Sequence, residues 1–136
     1  MSGAAILREL LVQHAPLRDH VPDARNIRAG ILPQGSAIPA VTAHTIDSNE
    51  IATLARRGRN KTIRERVQVT ALARDYAAMK RMLKAAGLGR GVYTGTVLGY
   101  RVQSVLPAGE GPEIPPGDDG IYEQSRDFVV TFSEAN

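Results

Sequence analysis

The chain of 136 residues has no cysteine and no tryptophan, and its few aromatics are four Tyr and two Phe. Without cysteine there is no disulfide framework, no thiol nucleophile and no Cys-based zinc or iron–sulfur site. No apolar run approaches the roughly 18 residues that a membrane span needs. The opening Met1-Ser2-Gly3-Ala4-Ala5 has neither a basic n-region nor a long apolar stretch. The expectation is a soluble chain, intracellular when made, with no membrane partner. The three His, at 14, 20 and 44, have no metal-ligand spacing, and the six Ser form no GxSxG elbow.

What remains is a hydrophobic share of 43%, a charged share of 23% and a net charge of +3. That length and composition suit one domain, here 1–136, with a core of its own. The charge is unevenly spread. Residues 1–52 carry four basic and five acidic side chains, 53–106 carry twelve and two, and 107–136 carry one and seven. The segments therefore stand at −1, +10 and −6, a pattern that suits a polyanion on the basic part or a second copy docked head to tail.

Hydrophobic spacing predicts a helix over Ala4–His14, capped by Ser2 and stopped by Pro16, with Ile6, Leu7, Leu10, Leu11 and His14 on one stripe. Short strands follow over Asn26–Leu32 and Pro39–Ile46, then a long basic loop at 47–62. Alternation marks Ile63–Ala73 as the clearest strand. Asp75 caps a second helix over Tyr76–Ala86, with Tyr76, Met79, Leu83 and Ala86 on its apolar stripe. Strands over Thr96–Leu106 and Ile121–Phe132 flank a Pro/Gly-rich acidic loop at 107–120, which holds four of the eight Pro. The predicted class is α+β: a mainly antiparallel sheet flanked by two helices, in the order α-β-β-β-α-β-β.

Two charged segments are the candidate partner sites. Arg56, Arg57, Arg59, Lys61, Arg64 and Arg66 oppose a single Glu65. A loop of that charge density reads either as a phosphate-binding element, acting through counterion release, or as a solvated hairpin tip or an acidic-partner contact. No aromatic interleaves the arginines, which argues against base stacking. Glu110, Glu113, Asp118 and Asp119 form the acidic counterpart, for a neighbouring subunit or another partner, and they lack the ordered oxygen spacing of a calcium loop. Gly87, Gly89, Gly91 and Gly95 follow a helix and precede a strand, the reverse of a phosphate cradle. No catalytic, cofactor or metal residues emerge, so the expectation is a protein that is not an enzyme.

Three segments in order resemble one family. They are Gly30-Ile31-Leu32-Pro33-Gln34-Gly35 with Ile38-Pro39-Ala40-Val41; Arg66-Val67-Gln68-Val69 running into Tyr76-Ala77-Ala78-Met79-Lys80; and Tyr93-Thr94-Gly95-Thr96 through Arg101-Val102-Gln103-Ser104-Val105, then Asp127-Phe128-Val129-Val130. Their collinearity is similar to the tail-completion, or tail-terminator, proteins of long-tailed bacteriophages and related prophage particles. The resemblance runs from about Ile6 to Phe132 and implies an α+β structural protein of the virion tail and neck, assembled in the host cytoplasm. Such proteins close as hexameric rings on the head-proximal end of the tail tube, stop tube polymerisation and present the joint to the head–tail connector or stopper protein. Genomic DNA passes through the lumen. A heterologous ring interface would set the +10 segment against the −6 segment of a neighbour. Two competing readings are a head-completion adaptor of the neck and a small non-specific nucleic-acid-binding module.

Overall fold

A computed structural model of the chain describes residues 2–33, 35, 37–51, 60–88 and 94–135. Helix α1 (Ser2–Gln13) begins the chain, followed by the short α2 (Ala15–Arg18) and a 3-10 turn, Ala24–Asn26. Strands β1 (Ile27–Ala29), β2 (Ala40–Ile51) and β3 (Asn60–Ala73) come next, then α3 (Tyr76–Ala85). Strands β4 (Gly95–Val97), β5 (Tyr100–Glu110) and β6 (Tyr122–Ala135) complete the fold. They form a single sheet ordered β1-β2-β3-β6-β5-β4, with β1 parallel to β2 and every other pair antiparallel. The α+β class and mainly antiparallel sheet expected from the pattern are what is found.

The alternation along β3 explains why the helices share one face of the sheet. Ile63, Val67, Val69 and Ala71 are buried, and their partners in β6 include Phe132, Phe128 and Arg126. Helix α1 lays Ile6, Leu7, Leu10 and Leu11 onto β1–β3, and α3 lays Met79, Met82 and Leu83 onto β3 and β6. Phe128 and Phe132, both fully buried, anchor the centre; each such side chain contributes about 1.5–3 kcal/mol by leaving water. The opposite face carries Thr62, Arg64, Arg66, Gln68 and Thr70 of β3 beside Ser133, Thr131, Val129, Asp127 and Ser125 of β6. No helix among the described residues covers it.

Local sequence accounts for the element ends. The Asp75 carboxylate accepts the Ala78 N–H at 3.0 Å and caps α3. Arg126 donates to the Leu83 carbonyl at 3.1 Å, a cation at the last turn of that helix, where the dipole favours it. Pro16 does end α1, but it also sits in the first turn of α2, where its missing N–H is harmless. His14 is half-buried at the start of α2 rather than packed on the α1 stripe.

Four expectations need correction. The basic loop placed at 47–62 is shorter: Asp47–Ile51 belong to β2 and Asn60–Thr62 to β3, while 52–59 lie outside the described residues. These strand ends extend past most of the core, so little apolar alternation marks them, and the ladder itself (Asn49 against Arg64, Glu50 against Ile63) defines them. The Pro/Gly-rich loop placed at 107–120 begins later, because Pro107–Glu110 remain in β5. Among the described residues β4 pairs with β5 only over Tyr100–Val102, so no ladder partner on that side is described that would need the missing proline N–H. The strand expected over Thr96–Leu106 is folded into a hairpin at Leu98-Gly99, both with positive φ (51° and 82°). That is the geometry of a two-residue primed turn, made without the usual Asn-Gly signal. Finally, Tyr76 is exposed rather than core, edge-on to Tyr122 at 6.0 Å between ring centroids.

Candidate partner-binding surfaces

Of the six residues of the basic run, the structure describes three. Arg56, Arg57 and Arg59 lie outside the described residues. Lys61 reaches Glu134 across the β3–β6 pair at 3.5 Å. Arg66, on the helix-free face, is held by the Asp127 carboxylate at 2.7 Å and also donates to the Ala108 carbonyl at 3.0 Å. Arg64 projects from that same face and is exposed. Lys61 and Arg66 therefore spend their charge within the chain.

Glu65, the lone acid in the run, belongs to the core. Only 4% of its surface is exposed. Its carboxylate accepts the Gly3 N–H at 2.8 Å, the Ser48 hydroxyl at 2.7 Å and the Thr45 hydroxyl at 3.3 Å. A carboxylate beside the first amides of α1 meets both orphan donors and the positive end of the helix dipole. Glu65 shares the strand phase of Ile63, Val67 and Val69, and a carboxylate in a buried phase must find buried donors. That signal was present in the sequence.

The acidic group divides as well. Glu113 is a structural clamp: it accepts the Tyr76 hydroxyl at 2.8 Å and pairs with the Lys80 ammonium at 2.9 Å. Lys80 also donates to the Gln124 side-chain oxygen at 2.7 Å, and Gln124 donates to the Gly111 carbonyl at 2.9 Å. This network ties the segment after β5 to α3. The Lys80 and Tyr76 hydrogen bonds lower the Glu113 pKa, and the Glu113 carboxylate raises those of Lys80 and Tyr76. Glu110 is exposed at the end of β5, opposite Arg126 in the ladder.

Asp118 and Asp119 join a residue that the sequence reading passed over, Glu123 of β6. The three rim an open groove of about 430 Å³ whose walls include Leu72, Ile114, Pro115 and Ile121. Leu72 and Glu123 face each other across β3 and β6, so the groove lies at the far end of that strand pair from Asn60 and Ala135. A second hollow of about 230 Å³ lies against Tyr76, Met79, Glu113, Pro116 and Tyr122. Among the described residues no cluster of His, Asp or Glu is arranged to hold a metal ion, and no helix is long and apolar enough to cross a membrane.

No family model and no curated protein matches the sequence. The fold does have a counterpart. It is similar to a chain of a solved structure described as the virion of native gene transfer agent (GTA) particle, with a TM-score of 0.68. The match covers 98% of this chain and 97% of that chain, at 12% sequence identity. At that identity the shared property is the fold, from end to end.

Proposed function

We propose that this chain is a structural, non-enzymatic virion protein that caps the head-proximal end of a phage tail tube as a ring. In that role it stops tube polymerisation and forms the joint to the head connector. The observation that carries the reading is the end-to-end fold likeness to a chain of a gene transfer agent virion. The collinear resemblance of its motifs to tail-terminator proteins supplies the finer position. A homohexamer on the tube end, with tail tube protein on one side, the connector or stopper on the other and DNA in the lumen, is the arrangement this reading expects.

Two measurements test it. Cryo-electron microscopy of the particle neck should show six copies of this chain around the axis at the tube end. A null mutant should leave full heads unattached beside tails of abnormal length. Density on the capsid side of the joint would make the protein a head-completion adaptor instead. Normal infectious particles from the null mutant would remove the virion role altogether.

A further inference from the structure

We infer that the helix-free face of the sheet packs against the same face of a second copy about a two-fold axis, so that Arg64 and Arg101 of each copy meet Asp118, Asp119 and Glu123 of the other. Strand register sets these charges at opposite ends of the face. Arg64 lies opposite Thr131 and Arg101 opposite Ser133. Both are exposed, and neither enters an ion pair among the described residues. Leu72, Glu123 and Ile114 form one row across the other end, and the acidic groove is built on that row. Asp118, Asp119 and Glu123 likewise enter no ion pair among the described residues. The Asp119 carboxylate accepts the Ile121 N–H at 3.0 Å, and Arg74 donates to the Asp119 carbonyl at 3.2 Å. Between the two ends lie the Arg66–Asp127 pair and Asp47, whose carboxylate accepts the Asn49 amide N–H at 3.1 Å.

Geometry makes the face complementary to itself. Thr131 and Glu123 are eight residues apart on β6, about 27 Å at about 3.4 Å per residue. A two-fold axis that crosses the strands near Asp127, midway between them, turns each copy end for end. Each basic end then lies over the partner's acidic end, and both contacts close in one pair. A copy shifted along the strands would match one end and leave the other bare. Leu106, opposite Val129 and 41% exposed, comes down on the partner's Ala108–Gly111 stretch, whose residues at this face are small. Packed sheets stand about 10 Å apart, a gap that an arginine bridges to a carboxylate. Four strands at about 4.8 Å spacing and about twelve residues at about 3.3 Å enclose about 750 Å² per copy, close to the about 800 Å² that each partner buries in a stable complex. This pairing goes beyond the ring reading and does not depend on it.

Charge exchange tests the pairing. Sedimentation velocity of the purified chain at low salt should show a dimer that weakens about tenfold as salt is raised. Arg64→Glu with Arg101→Glu makes both ends of the face negative, and Asp118→Lys with Glu123→Lys makes both positive. Each variant alone should lose at least about tenfold in self-association, and an equal mixture of the two should recover the dimer as a heterodimer. Arg81→Glu with Lys84→Glu changes the net charge as much as the first variant, but on exposed positions of α3 across the sheet; it should leave the dimer unchanged. Leu106→Gln keeps every charge and should weaken the dimer about tenfold, a second measurement should a charge variant lose the parent's circular dichroism. A parent that stays monomeric at about 100 μM in low salt overturns the inference, including one that retains duplex DNA through Arg64 and Arg101. So do charge variants that dimerise as the parent does, a mixture that stays monomeric, or assemblies that grow beyond two copies through these residues. A monomeric parent leaves the ring reading standing, and a neck without a ring leaves this pairing standing.

Discussion

Replacing Glu65 probes the join between α1 and the sheet, and the structure fixes both the sign and the size of the effect. Glu65→Ala leaves the Gly3 N–H buried without that acceptor, while the exposed Ser48 hydroxyl turns to water. Losing a charged hydrogen bond costs about 1.5–3 kcal/mol, and the lost methylene packing adds about 1 kcal/mol. The expected destabilisation is therefore about 2.5–4 kcal/mol, with roughly 3–5 °C of Tm lost per kcal/mol in a domain of this size. Glu65→Gln keeps an acceptor oxygen and relieves the burial of a charge, losing mainly the helix-terminus interaction, so it should cost about 0.5–1.5 kcal/mol. Gly3 sharpens the test. A Cβ there runs into the Glu65 carboxylate and comes within 3.1 Å of Val67 Cγ2. On helix propensity alone Gly3→Ala should stabilise by up to about 1 kcal/mol; in this structure it should destabilise. In a Glu65→Ala background that cost should shrink by about 1 kcal/mol or more. Urea unfolding followed by circular dichroism measures the parent and all four variants. If Glu65→Ala costs under about 1 kcal/mol, or Gly3→Ala stabilises the parent, the buried carboxylate does not hold α1 to the sheet.

Further outcomes follow from the packing and the clamp. Phe128→Ala should cost about 3–5 kcal/mol in the same assay, because the ring is fully buried at the centre of the sheet. Asp75→Ala should cost about 1 kcal/mol through loss of the α3 cap, with Asp75→Asn recovering most of it. The Glu113 clamp should be pH-dependent. Its folded pKa lies below the ordinary 4.5, so its contribution is present above that value and lost as pH falls through the folded pKa. Lys80 and Tyr76 have folded pKa values above the ordinary 10.5 and 10.0, so their contribution is present below those values and lost as pH rises beyond them. Amide exchange across 111–120, corrected for intrinsic rates, should be slowest between these limits. It should quicken in Glu113→Gln at neutral pH; equal protection in the variant would show that the clamp does not hold the segment.

The core elements were legible wherever a buried face imposed a period on the residues. Val67, Val69 and Ala71, then Phe128, Val130 and Phe132, announce β3 and β6 because one side of each strand must be apolar. Asp75 likewise announces α3, since a cap is a local interaction. Boundaries failed where that period lapsed: Asp47–Ile51 and Pro107–Glu110 are held by strand pairing, with exposed residues that carry no alternation. The Leu98-Gly99 turn escaped because its first residue is not one that usually takes positive φ.

The sequence by itself determined the α+β class, the helix-facing stripes of β3 and β6 and the separation of positive and negative charge along the chain. Only the tertiary structure decided which charges are available. It took Glu65 into the core, joined Lys61 to Glu134 and Arg66 to Asp127, and committed Glu113 to Lys80 and Tyr76. It also added Glu123 to Asp118 and Asp119 around one groove. The physical reason is that hydrophobic period and capping act over a few residues and are written locally. A charge is spent or left free by partners that strand register brings together from distant parts of the chain, as with Arg66 and Asp127, sixty-one positions apart.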